Sequence, residues 1–124
     1  MNLESLTKQL IQIESISPND AGCFDILESA LEGMNFSCER ISYKNVENLY
    51  AVIGSKSPTL CFLGHTDVVP TGPSDQWTYP PFSGETHDDH IYGRGAADMK
   101  GNICAFVELS LIHISEPTRL LSIS

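Results

Sequence analysis

Basic side chains are scarce in this chain: seven Lys and Arg face sixteen Asp and Glu, a formal net charge of −9. That deficit argues against nucleic acid or an anionic membrane surface as a partner, because both are bound through clustered positive charge. Acidity is compatible with a site for divalent cations, yet most acidic soluble proteins hold none, so charge carries no vote on function. Cysteine is sparse and unpatterned. Cys23, Cys38, Cys61 and Cys104 form no C-x-x-C pair and no zinc-finger spacing. Three of them lie among apolar neighbours, where a free thiol behaves as a small hydrophobe. The opening "MNLESLTKQLIQIES" carries charges throughout and lacks the apolar centre of a signal peptide. No apolar run approaches the length of a membrane span, and no internal repeat is found. These absences predict a soluble cytoplasmic protein with reduced thiols.

What is present looks globular. The 124 residues are 41% hydrophobic and 19% charged, enough for one domain or part of one. Leu3, Leu6, Leu10 and Ile13 recur at helical spacing and predict an amphipathic helix from about Leu3 to Glu14. "SISPND" ends it, since Pro18 disfavours helical backbone at Ser17. Asn19 or Asp20 can cap a second helix with Phe24, Leu27, Leu31 and Met34 facing inward and Gly33 near its end. From Phe36 the period changes. "FSCERISY", "NLYAVIG" and "TLCFLG" read as three strands, the last two buried on both faces. A long irregular stretch follows from Pro70 to about Asp89, of a length that is often functional or disordered. "HIYG" is a possible short strand and "DMKGNICAFVEL" the start of a helix. The order predicts an α/β layered domain.

The C-terminal segment stands apart. Leu109 to Arg119, "LSLIHISEPTR", match residue for residue the translation of a nucleotide string that resembles a transposase-type sequencing adapter read through in frame. Residues 109–124 are therefore expected to be a non-native tail and are set aside in reading the fold, which leaves residues 1–108 as an incomplete N-terminal part of a domain. His113 is then no ligand candidate.

Two stretches carry chemistry. In "GHTDVVP" an apolar run ends on His65 and Asp67, whose i, i+2 spacing places them on one face of an extended strand. Strand ends are where α/β sheets tend to hold ligands, and a metal-bound imidazole commonly gives its other N–H to a carboxylate. A polar strand end meeting solvent explains the same letters. In "IYGRGAADMKGN", small residues surround Asp98 and would let backbone and ligand approach closely. Its carboxylate could bridge two cations, or could simply cap the helix that follows.

Together, "LGHTDVVP-x-G", "W-x-x-P-P-F" and "YGRGAADMKG" resemble the zinc-dependent aminoacylase and carboxypeptidase family of co-catalytic metallohydrolases, over about Leu3 to Ala105. The resemblance implies a zinc-peptidase-like catalytic domain with a mixed sheet flanked by helices, and two Zn²⁺, with Co²⁺ as a possible substitute. By motif position, His65 resembles the terminal ligand of one zinc. Asp67 resembles the catalytic-site aspartate that orients it, and Asp98 the carboxylate shared by both ions, followed by a cis peptide bond. The family's metals activate a water and polarise an amide carbonyl, with a glutamate as general base. That glutamate, the other zinc ligands, the basic substrate-binding residues and a dimerising lid domain lie beyond Asp98 in the family. "SPNDAGC" and the alanines of "GAADMKG" are similar to the members that hydrolyse N-succinyl-L,L-diaminopimelate to succinate and L,L-diaminopimelate on the route to lysine. The alternatives are a related deacylase or dipeptidase, such as an acetylornithine deacetylase, or a non-catalytic fragment that binds metal weakly.

Some residues depart from the pattern or have plainer readings. "HDDHIYG" lacks the glycine the family commonly places after aspartate in this turn, so Asp88, Asp89 and His90 are expected in a variable loop. His87 and His90 have H-x-x-H spacing, but on such a loop exposure is the better expectation. Trp77, Tyr79 and Phe82 are expected to pack the long loop against the body, and Lys100 to be structural. Glu85 falls in the wrong place to be the base.

Overall fold

The computed structural model describes residues 2–114. Helix α1 spans Leu3–Ile11, and Asn2 caps it by accepting the Ser5 N–H at 2.8 Å. It stops short of Glu14. Lys100 Nζ donates to the carbonyls of Leu10 and Ile13, at 2.6 and 2.9 Å, so the last turn is captured from outside and the chain leaves the helical path. Leu6, Leu10 and Ile11 are buried, whereas Leu3 is 41% exposed.

Helix α2 spans Cys23–Glu32 and ends at Gly33. The Asp20 carboxylate accepts from the N–H groups of Gly22 and Phe24, at 3.0 and 3.1 Å, and so caps the helix. Cys23, Leu27 and Met34 are buried from this segment; Phe24 and Leu31 pack on the same core partly exposed.

Strands β1 (Ser37–Tyr43) and β2 (Val46–Val52) pair antiparallel with Tyr43 opposite Val46. β2 alternates between exposed and half-buried positions, so it is not buried on both faces. The expected third strand does not form either. Thr59–Gly64 has no backbone pairing among the described residues, and Leu60 and Leu63 are 81% and 90% exposed. An apolar run becomes a buried strand only when neighbours supply a ladder and a cover, and the described residues supply neither.

The long loop contains a short 3-10 turn, Ser74–Gln76. It ends in a hairpin of β3 (Thr86–His87) and β4 (His90–Ile91). Asp88 and Asp89 both adopt positive φ, 49° and 62°. Two consecutive left-handed residues match the twist of a tight hairpin, and aspartate tolerates that region better than most residues. Asp88 and Asp89 thus form an ordered hairpin turn, and His90 lies in β4 rather than in the loop. The turn Ala96–Lys100 leaves helical geometry at Asp98 and Met99 and leads into α3, Gly101–His113.

The core joins Leu6 and Leu10 of α1, Cys23, Leu27 and Met34, and Cys104 and Val107 of α3. α3 continues through Leu109–His113, and Ser110 is buried. Of the tail expected to be non-native, residues 115–124 lie outside the described residues. The architecture is a partial α/β domain. No helix among the described residues is long and apolar enough to cross a membrane.

Candidate metal centre

The segment after α1 places the first motif. Ser15 to Ser17 lie alongside Thr66 to Val68 in a short parallel pairing: Val68 N–H donates to the Ser15 carbonyl at 2.8 Å and Ser17 N–H to the Val68 carbonyl at 2.9 Å. This pins the chain at His65 and Asp67. The second motif arrives from the other side through Gly95, at φ 83°. A Cβ on Gly95 would lie 2.5 Å from Val68 Cγ1, so only glycine allows the Asp98 turn to approach so closely.

His65, Asp67 and Asp98 meet there. The His65 Nδ1–H donates to the Asp67 carbonyl oxygen at 3.0 Å, and Asp67 Oδ1 stands 3.3 Å from the same nitrogen. His65 Nε2 lies 3.1 Å from Asp98 Oδ1. The contact closest to the ring is therefore the backbone carbonyl of Asp67 rather than its carboxylate. The bond to that carbonyl, with the Asp98 carboxylate behind it, raises the His65 pKa above its ordinary value, although partial burial opposes the rise. Asp98 is 88% exposed and precedes a cis Asp98–Met99 bond. A cavity of about 270 Å³ opens beside the three residues, also lined by Ser17 and Arg94.

The geometry fits a divalent cation between His65 and Asp98. Two donors each at roughly 2.0–2.1 Å from one tetrahedral ion stand about 3.3 Å apart, close to the 3.1 Å observed. With the Nδ1 proton committed to Asp67, Nε2 is the nitrogen at which a metal would replace the proton shared with Asp98. Among the described residues, no group of three His, Cys, Asp or Glu side chains could hold an ion, so this chain supplies an incomplete shell.

The other candidates are occupied locally. His87 stacks on Tyr79 with ring centroids 3.8 Å apart, and its Nε2 meets Glu85 Oε2 at 2.8 Å. His90 Nδ1 contacts the Asp88 carbonyl. Trp77 Nε1 donates to the Thr71 carbonyl and its ring lies under Arg94, so the aromatic residues pack the loop. A larger hollow of about 600 Å³ near Asp20 and Arg40 is a web of paired charges, with Arg40 bonded to Asp25, Glu28 and Glu47. All four cysteines are free. The pairing of Ser15 with Thr66 and Val68 had no signal in the sequence, because it joins residues about fifty positions apart.

Residues 61–121 match peptidase family M20/M25/M40. The chain belongs to that family. The matched span includes Cys61 to Asp98, hence both motifs of the site, and runs past residue 109 into the segment expected to be non-native. Among curated relatives, the chain is 49% identical over 108 residues to a protein of Rhodospirillum centenum named succinyl-diaminopimelate desuccinylase, covering 83% of this chain and 28% of the relative. A protein of the same name from Azoarcus sp. is 52% identical over 103 residues, covering 83% and 27%. In structure, the chain is similar to an M20 family metallo-carboxypeptidase of Sulfolobus solfataricus, with TM-score 0.82, 26% identity, and coverage of 94% of this chain and 28% of that one. Human carnosine dipeptidase 1 gives TM-score 0.75 at 25% identity, covering 86% and 27%. The chain thus spans little more than a quarter of the length of these relatives. Membership of this metallopeptidase family implies a divalent metal, typically zinc.

Proposed function

We propose that this chain is the N-terminal, metal-bearing part of a di-zinc amidohydrolase whose intact form hydrolyses N-succinyl-L,L-diaminopimelate to succinate and L,L-diaminopimelate. Residues 109–124 are, in this reading, a non-native tail. The observation that carries it is the convergence of His65 and Asp98, 33 positions apart in sequence, at 3.1 Å with Asp67 behind the imidazole. His65 is then a terminal zinc ligand through Nε2, and Asp98 the carboxylate shared between two ions. Asp67 holds the imidazole in the tautomer that leaves Nε2 free. Bound zinc supplies the Lewis acidity that makes a water nucleophilic near neutral pH and polarises the scissile amide. The names of the relatives support succinyl-diaminopimelate as substrate. We place the enzyme in the cytoplasm, where its four free cysteines stay reduced, as a homodimer through a lid domain outside this chain.

The test compares this chain with the product of the uninterrupted gene. The intact protein is expected to release succinate in a zinc-dependent manner, with activity lost in His65→Ala and Asp98→Asn. This chain alone is expected to release none, because loss of a general base alone costs roughly 10²–10⁴ in rate and most metal ligands are also missing. Hydrolysis of acetylornithine but not of the succinyl substrate by the intact protein would transfer the assignment to a related deacylase. Zinc-dependent turnover by this chain, abolished by His65→Ala, would overturn the division of labour.

A further inference from the structure

We propose that Ser15 and Lys100 are positioning residues that set the separation of His65 and Asp98, using the end of α1 as a common gauge. The proposal rests on the metal-site reading above and extends it to two side chains that touch no ligand. The two motifs are joined in sequence by a long, largely exposed loop, which cannot hold them in register by itself. Each is instead bonded to the same short stretch, Leu10 to Ser17. Lys100, two residues beyond Asp98, sends its ammonium to the carbonyls of Leu10 and Ile13 at 2.6 and 2.9 Å. Ser15 Oγ donates to the carbonyl of Thr66, which sits between His65 and Asp67, at 2.8 Å. Neither residue has any exposed surface.

The chemistry of Lys100 favours a directional role. Burying an ammonium is costly unless it is hydrogen-bonded, and an apolar side chain would fill the same space at less cost. The ammonium adds direction, because it can engage two carbonyls at a helix C-terminus, where the helix dipole favours positive charge. Its backbone N–H also donates to Gly95 at 2.8 Å, closing the turn that presents Asp98. The Ser15 hydroxyl and backbone perform the matching task on the His65 side. A residue that merely capped α1 would affect stability and leave the site geometry alone.

The test uses this chain in two states. In the metal-free state, the ¹⁵N signals of the His65 ring report its contacts with Asp67 and Asp98; in the second, Co²⁺ is titrated and its visible absorption read. Lys100→Met and Ser15→Ala are compared with Leu27→Ala, a core change in α2 remote from the site. Lys100→Met is expected to shift the His65 Nε2 signal and weaken Co²⁺ binding by roughly tenfold or more. Ser15→Ala should move both in the same direction by less, and Leu27→Ala should lower the melting temperature while moving neither. If Lys100→Met does not fold, Ser15→Ala decides. Ring signals and Co²⁺ affinity that match the Leu27→Ala control would overturn the proposal. If Co²⁺ does not bind the unaltered chain through His65, whose shell is incomplete here, the metal-free ring signals alone decide the positioning claim, and signals that match the Leu27→Ala control overturn it.

Discussion

Leu6, Leu10 and Ile11 on α1 and Leu60, Phe62 and Leu63 in the 59–64 run are comparably apolar, yet they have opposite fates in this molecule. Leu6, Leu10 and Ile11 are buried against α2, α3 and the Gly93 turn, and a Cβ on Gly93 would lie 2.3 Å from Ile11 Cγ2. Leu60, Phe62 and Leu63 are exposed, with Phe62 stacked on the ring of Phe106, 4.2 Å away between centroids. The difference is one of neighbours rather than composition. A helix satisfies its own backbone and needs one apolar surface to lean on. A strand needs partners along its edges as well as cover on its faces. A chain spanning about 28% of its relatives' length can therefore pack its helices while leaving a central-looking apolar run open.

The sharpest way to break this comparison is thiol labelling. Cys61 lies in the open stretch, whereas Cys23 and Cys104 have no exposed surface. Cys61 is expected to react at the rate of a free thiol, and the buried pair on the order of 10²-fold or more slower, as their reaction waits for the protein to open. Equal rates for all three would mean that the helical core is no better closed than the open 59–64 stretch. Burial also raises the pKa of Cys23 and Cys104, which reduces their thiolate fraction and reinforces the contrast.

Truncation sharpens it next. Leu10→Ala removes a fully buried side chain and is expected to cost about 2–5 kcal/mol in denaturant unfolding. Leu63→Lys should fall within about 0.5 kcal/mol, the range of surface changes, while raising the concentration at which the chain stays monomeric in light scattering, because it places a charge within an exposed apolar run. A large loss of stability from Leu63→Lys would show that the stretch is packed after all.

The sequence was most legible where the physics is local. The 3.6-residue stripe of α1 and α2 could be read directly, and the cap narrowed to Asn19 or Asp20, of which the structure uses Asp20, since each depends on residues within one or two turns. The i, i+2 logic also brought His65 and Asp67 together. What escaped was set by long-range partners. α1 ends early because of Lys100, ninety positions away from Leu10. The "TLCFLG" run stays open for want of a ladder. The Asp88–Asp89 hairpin was missed because neither residue is glycine, the usual mark of consecutive left-handed positions. The pairing of Asp67 with His65 was anticipated through the carboxylate, but its backbone carbonyl is the nearer acceptor. No side-chain pattern encodes that.

The central claim is that His65 meets a metal through Nε2 while Nδ1 is held by Asp67. The direct measurement is zinc titration of the ¹⁵N-labelled chain, following the ring nitrogens of all histidines. The account predicts that His65 Nε2 shifts as zinc is added and Nδ1 keeps its proton, with His87 and His90 unmoved and the response absent in Asp98→Asn. Zinc-dependent shifts at His87 and His90 with His65 unchanged, or coordination of His65 through Nδ1, would contradict it.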